Sequence, residues 1–490
     1  MNIKKTFSVA FVILFTHFLH AQYPLYSGKP VFHGAERVGN YPNTSFLHTV
    51  PATGERPITF VAKGLPQGLS MDASTGIING VAPQSGNYEV NITASNNAGT
   101  ASTTIVLHIG QKLALSPPMG WNSWNVFAWD IDEMTIREIA DAMVSTGMRD
   151  IGYQYINIDD FWHDESRDKD GKPVVDPKKF PSGMKALSDY VHSKGLKLGI
   201  YSCAGRLTCG EKFGGYNFEA IDAKTYAEWG IDLLKYDYCY APLGQKEAID
   251  RYEAMGSALK SSGRSIVFSV CEWGLRKPWK WAAQKAHGQY WRTTPDIFDY
   301  WKGWHPWQKS FMSIVKFQEG LEKYAAPGRW NDPDMLTVGN YGTGKATSAK
   351  GKYKGMTDTQ YQSHFAVWCL LNAPLLSSCD LRSMNTATKN ILLNAALTDL
   401  NQDVLGNQAT LVYNKKGIRI YMKELKNEGF VVAYMNTTSK KKNLPDNEKA
   451  GLYPYNFDGK HGFDPINLKQ ADNVPLTAEP YETVVRIYSY

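Results

Sequence analysis

A series of short apolar segments in this 490-residue chain ends in residues able to do acid–base or hydrogen-bonding chemistry. They are Trp121 and Trp124 in GWNSWN, Asp159 and Asp160 in NIDDFW, Tyr201 in GIYS, and Lys235 and Asp237 in LLKYDYC. Glu272 and Trp273 in CEWG, Arg292 and Asp296 in WRTTPDI, and Asp332 and Asp334 in WNDPDML complete the set. Carboxylates gathered at one place repel one another and are costly to desolvate, so a purely structural role does not account for them. Carboxylates accept from hydroxyls, Lys and Arg donate, and Trp packs on an apolar ring face, a combination that suits a polyhydroxylated ligand. Two carboxylates flanking one bond are also the minimum equipment for glycoside hydrolysis. Asp237 follows Lys235 by two residues and is expected to stay ionised, because a neighbouring cation lowers a carboxylate's pKa; that suits a nucleophile. Asp296, in a loop with Pro295, is a candidate proton donor. Residue types alone do not separate this pair from the other acids, and the alternative for Asp332 is a place behind the pocket wall. Lys235 and Arg292 compete with any cation for these carboxylates, and neither CxxC nor HExxH occurs, so no metal and no cofactor is expected.

The elements that position these residues follow a βα rhythm from about Leu113 to Gly406. Strands are expected at 153–159, 196–202, 231–237, 265–271, 289–293 and in the run into 329–334, with helical pieces between them such as 136–147. About 290 residues of this pattern suits an eight-stranded β/α (TIM) barrel, whose active site lies at the carboxyl ends of the strands. No GxGxxG follows the first strand, which removes the main marker of a dinucleotide fold. Before the barrel, Tyr23 to Gly110 reads as short strands and turns without Trp or Cys, an N-terminal β-sandwich module. Residues 407–490 return to alternation and are expected to form a C-terminal antiparallel β-sandwich. The expected boundaries are 1–21, 22–111, 112–406 and 407–490.

Met1–Ala21 has two lysines, an apolar stretch and a small residue at the end, the pattern of a secretory signal. Secreted or periplasmic location follows as an expectation, with no membrane span after cleavage. Lys and Arg number 53 against 47 Asp and Glu, a dispersed excess too weak to indicate nucleic acid. Six cysteines are too few for a disulfide-dense scaffold.

The motifs PPMGWNSWN, NIDDFW, GIYS, LLKYDYC, CEWG, WRTTPDI and WNDPDML resemble, in order and spacing, those of glycoside hydrolase family 27. The segments 370–384 and 400–406 are similar to that family too, and the resemblance runs from about Leu113 to Thr438. It implies a retaining double-displacement enzyme, most often an α-galactosidase, on a β/α barrel. Carried over by position, it makes Asp237 the nucleophile and Asp296 the general acid/base. It sets Trp124 near the sugar's exocyclic carbon, Asp159 and Asp160 at the 4- and 6-hydroxyls, Lys235 at the 3-hydroxyl and Arg292 near the 2- and 3-hydroxyls. Tyr201, Cys209, Trp273 and Asp334 would line the same pocket, and Cys209 would pair with Cys239 in a disulfide.

Glu272 and Leu275 match the family's galactosidases, whereas its N-acetylgalactosaminidases carry small residues there. A buried Glu can accept from a 2-hydroxyl but would clash with an acetamido group. Asp159 is the short acid, unlike the enlarged one of the arabinopyranose-preferring relatives. The implied ligand is a galactose-containing oligo- or polysaccharide with a terminal α-galactosyl unit. A β-L-arabinopyranosidase, an α-N-acetylgalactosaminidase and a non-turning-over galactoside-binding protein are the alternatives. The stretch Tyr23 to Gly110 resembles immunoglobulin-like modules of bacterial secreted hydrolases, read as a spacer or stability partner. Gly339–Tyr353 is longer and richer in Lys and Gly than the family's usual loop.

Overall fold

The computed structural model describes residues 28–305, 307–346, 354–446, 449–452 and 461–489. The expected leader at 1–21 and part of the 339–353 loop lie outside them. At the centre stand eight parallel strands: β1 (Met119–Asn122), β2 (Tyr155–Asn157), β3 (Lys197–Cys203), β4 (Leu233–Asp237), β5 (Val267–Val270), β6 (Tyr290–Arg292), β7 (Trp330–Asp332) and β8 (Leu375–Ser377). Each pairs with its sequence neighbour, β8 lies beside β1, and a bridge from Leu336, just past β7, to Ser377 closes the ring. The strands are buried on both faces and so read as continuous apolar runs rather than alternating ones. Helices such as Glu133–Ser145, capped by Asp132, and Gln245–Ser261 return the chain between strands.

Two sheets precede the barrel. One joins Arg37–Asn40, Gly99–Ile109, Gly86–Asn96 and Thr59–Lys63; the other joins Ser45–Thr49, Ile77–Val81 and Leu69–Met71. Alternation along the long hairpin turns Val90, Ile92, Ile105 and Leu107 inward, where they meet Phe46 and Ile78 in a core separate from that of the barrel. The module sits under the amino ends of the barrel strands. Thr49 Oγ1 donates to the Gly195 carbonyl (2.7 Å) just before β3, and the Tyr41 amide donates to Ser265 Oγ (2.8 Å) just before β5. Arg56 pairs with Asp150 (2.6 Å) and His33 with Asp399 (2.8 Å). Leu113, Tyr155, Leu233, Val267, Tyr290 and Trp330 floor the barrel here, with Tyr41 of the module packed against them.

After the barrel, a six-stranded antiparallel sheet runs in the order Thr410–Lys415, Ile418–Glu424, Phe430–Asn436, Thr483–Ser489, His461–Asp464, Lys469–Gln470. Tyr421, Val431, Ala433, Met435 and Val485 on one face join the barrel's core, while Ile420, Val432 and Tyr434 on the other form their own. A two-stranded sheet, Lys442–Asn443 with Thr477–Ala478, accompanies it. No helix among the described residues is long and apolar enough to cross a membrane.

Candidate active site

The carboxyl ends of β1 to β7 bring the strand-end residues to one mouth. Parallel register sets Tyr201 opposite Lys235 and Cys203 opposite Asp237 on neighbouring β3 and β4. Lys235 Nζ bonds Asp159 Oδ2 (2.8 Å) and lies 5.2 Å from the Tyr201 ring centre. Asn122 Nδ2, from the end of β1, donates to the same Asp159 oxygen (2.9 Å). Asp160 accepts from the Gly210 and Phe161 amides (both 2.8 Å), and Phe161 stacks against Trp124 with ring centres 6.2 Å apart. The acids of β2 are thereby tied to β1, β4 and the loop after β3.

Arg292, buried at the end of β6, holds the opposite side. Its Nη2 reaches Asp296 Oδ1, Asp334 Oδ2 and the Thr294 carbonyl, each at 3.0 Å. Asp334 also accepts from the Ile297 and Met335 amides (2.7 and 2.8 Å), and the Asp334 amide donates to Asp332 (2.8 Å). Asp332 therefore supports Asp334 from behind. The Asp296 side chain is 49% exposed, where that of Asp334 is 3% exposed, so Asp296 alone of this pair faces solvent at the mouth. Asp334 (φ 93°), Trp273 (φ 58°) and Phe161 (φ 74°) hold left-handed backbone that non-glycine residues seldom adopt, and such strain gathers at ligand sites.

Asp237 corrects one expectation. Lys235 does favour its charged form, but burial is the larger effect and pushes its pKa up to about 7. Asp296 and Asp159 raise it further, while the Tyr238 amide (2.9 Å) favours the anion. Burial likewise pushes Asp334 and Glu272 up, to about 6 and about 7, and raises Asp160 and Asp332. Arg292 is held well above its usual range despite burial, with Asp334 the largest favourable contribution, and Lys235 likewise by Asp159. A buried cluster of acids is thus kept workable by two cations.

Cys209 and Cys239 form a disulfide, and their sulfurs lie within 4.8 Å of a carboxylate oxygen of Asp237. The sulfurs are spent on each other, so this cluster is no ligand set. Cys209 touches the pocket through its amide, 3.5 Å from the Tyr201 hydroxyl. Cys203, Cys271, Cys369 and Cys379 are buried thiols.

Glu272 is fully buried, with Oε2 taken by the Arg276 amide (2.8 Å) and guanidinium (3.2 Å) and Oε1 unpartnered. Trp273 is half-buried, and Leu275 stands 65% exposed at the mouth. Sequence reading missed Asn122 and Arg276 as partners of these acids. Arg276 lies four residues after Glu272 in a loop turned by Trp273 and Gly274, and only the turn lets it fold back.

An eight-stranded β/α barrel with buried acids, two cations and an indole converging on one mouth defines a carbohydrate-processing barrel. Residues 116–403 match the family described as alpha galactosidase A, and residues 30–110 one described as "Putative Ig domain". The chain belongs to that α-galactosidase family, glycoside hydrolase family 27. It is 46% identical over 331 residues to alpha-galactosidase A of Cellvibrio japonicus, covering 66% of this chain and 77% of the relative. A crystallised candidate α-galactosidase/melibiase from Bacteroides fragilis superposes with a TM-score of 0.90 at 43% identity, over 96% of this chain and 99% of the other. The α-galactosidase of Saccharomyces cerevisiae, crystallised with raffinose, superposes with a TM-score of 0.68 at 25% identity, over 77% and 98%.

Proposed function

We propose that this chain is a retaining exo-α-galactosidase acting on the terminal α-D-galactosyl unit of an oligo- or polysaccharide. The observation that carries the reading is the pairing of a buried carboxylate, Asp237, beside the Cys209–Cys239 disulfide and in the field of Lys235, with a half-exposed one, Asp296, held by Arg292 at the mouth. Asp237 attacks the anomeric carbon while Asp296 gives a proton to the leaving oxygen, forming a glycosyl-enzyme. Asp296 then takes a proton from water, which releases galactose with its anomeric configuration retained. Asp159 and Asp160 receive the 4- and 6-hydroxyls, Lys235 the 3-hydroxyl, and Arg292 the neighbouring edge. Glu272 receives the 2-hydroxyl, as the family resemblance implies. Secretion, to the medium or the periplasm, completes the reading and is tested by cell fractionation.

Nitrophenyl α-galactoside, α-N-acetylgalactosaminide and β-L-arabinopyranoside, assayed side by side, test the substrate. Release should be confined to the galactoside, lost in Asp237→Asn, and give α-galactose first by NMR. Wild-type-like turnover in that variant, or β-galactose as the first product, would overturn the mechanism.

A further inference from the structure

The large apolar residues left exposed on this protein include a group on three adjacent loops of the mouth. Tyr240 (56%) and Leu243 (87%) follow β4, Leu275 (65%) follows β5, and Trp304 (80%) and Trp307 (82%) follow β6. Strands β4, β5 and β6 are neighbours, so these loops stand side by side. Arg276 ties the first two together by donating to the Leu243 carbonyl from Nη2 (3.0 Å) and Nε (3.2 Å).

The third loop begins and ends at the proton donor. The Lys309 amide donates to the Asp296 carbonyl (2.7 Å), the Phe298 amide donates to the Lys309 carbonyl (2.8 Å), and Ile297 bridges Lys309. The described residues between them lie on an excursion from the base of Asp296. His305 stacks on Phe298 with ring centres 5.1 Å apart, and its Nδ1 accepts from the Trp307 and Gln308 amides (3.3 and 3.1 Å). Gln308 Nε2 then donates to the Ala346 carbonyl (3.1 Å), and the Ala346 amide to that of Asn125, beside Trp124 (3.1 Å). The loop is built from within and moored to the far side of the mouth, so its indoles are held out into solvent.

We propose that this apolar rim, with Trp304 and Trp307 as its platforms, binds the uncharged pyranose units that precede the terminal galactose in the substrate. The proposal rests on Asp296 as the acid. The oxygen that Asp296 protonates belongs to the leaving sugar, so that sugar must project past Asp296 toward this loop. A pyranose carries an apolar C–H face that packs on an indole while its hydroxyls stay wet, and exposed indoles of this size are rare on a surface without a partner. The galactose pocket below is lined by carboxylates that fix individual hydroxyls. The rim grips ring faces and so should accept several sugars in those positions.

The test compares α-galactosyl fluoride, whose leaving group is a single atom, with a tetrasaccharide capped by one α-galactosyl unit. Trp304→Ala/Trp307→Ala should lower the tetrasaccharide-to-fluoride ratio of kcat/KM by roughly tenfold or more, chiefly through KM, in line with losing two buried ring faces. Trp304→Tyr/Trp307→Tyr should restore most of the ratio. An unchanged ratio, or a variant that changes oligomeric mass by light scattering with equal loss on both substrates, overturns the rim and makes the indoles structural or an interface. A wild type inert toward the fluoride overturns the galactosidase reading and the rim with it.

Discussion

Replacing Lys235 by Met tests the electrostatics of the proposed nucleophile, and removes the Lys235–Asp159 bond with it. Lys235 and Asp237 are two residues apart on β4 and share its inner face, a spacing along the strand of about 6.6 Å. At an effective dielectric of about 20, a unit charge at that distance favours the carboxylate by about 2.5 kcal/mol, or about two pH units. Burial has already raised Asp237 to about 7, so the wild type should lose kcat/KM as pH falls through that region, because the anion attacks. Removing the cation raises the carboxyl further, so the acid limb moves to higher pH. Methionine nearly preserves the buried volume, and the position of the limb can be read whatever happens to the absolute rate. The assay is the kcat/KM profile of α-galactosyl fluoride from pH 4 to 10. Fluoride needs no proton to leave, so the step asks none of Asp296, and the displacement between the two profiles, not either limb alone, carries the test. An acid limb that stays put, or moves down, would refute the reasoning.

Glu272→Ser should cut kcat/KM on an α-galactoside by about ten- to a hundredfold, the range for losing a charged acceptor, and raise relative hydrolysis of the N-acetylgalactosaminide. Parallel kinetics with the two nitrophenyl glycosides check it. Cys209→Ser/Cys239→Ser opens a 30-residue loop, which chain entropy alone values at about 3–4 kcal/mol, beside the Asp237 carboxylate. Lower Tm together with lower kcat is expected; a fall in Tm alone would show that the disulfide has no part in positioning Asp237. Gly39→Ala would set its Cβ 2.3 Å from the Lys112 carbonyl oxygen, backbone that has little room to yield. Thermal unfolding should show a loss of about 1–3 kcal/mol, while kcat stays unchanged because the site is at the other end of the barrel.

Strand ends were legible because an apolar run stopped by an acid or an indole is visible in one dimension. Expected strands 196–202 and 231–237 lie within two residues of β3 and β4. Strand β8 escaped notice as a strand: Leu375–Ser377 is three residues long and follows a helix, Asp358–Leu370, that is itself buried on nearly every side, so no period marks the change. The site residues could be named, but their energetics could not. Lys235 next to Asp237 suggested a depressed pKa, whereas the enclosing β3, β5 and disulfide strip away water and reverse the balance. Nothing in the sequence hinted that Leu275 stands out at the mouth, where the turn at Trp273 and Gly274 brings Arg276 back to Glu272 and leaves Leu275 outside. The indoles at 304 and 307 carried no sequence signal of their own, since only the closure of their loop on Asp296 gives them a place.

The seat of the N-terminal module gives the enzyme a heading. Thr49, Tyr41 and Arg56 fasten it beneath the strands, on the pole opposite the mouth. A polymer lying along the module's outer face would be behind the catalytic opening, out of its reach.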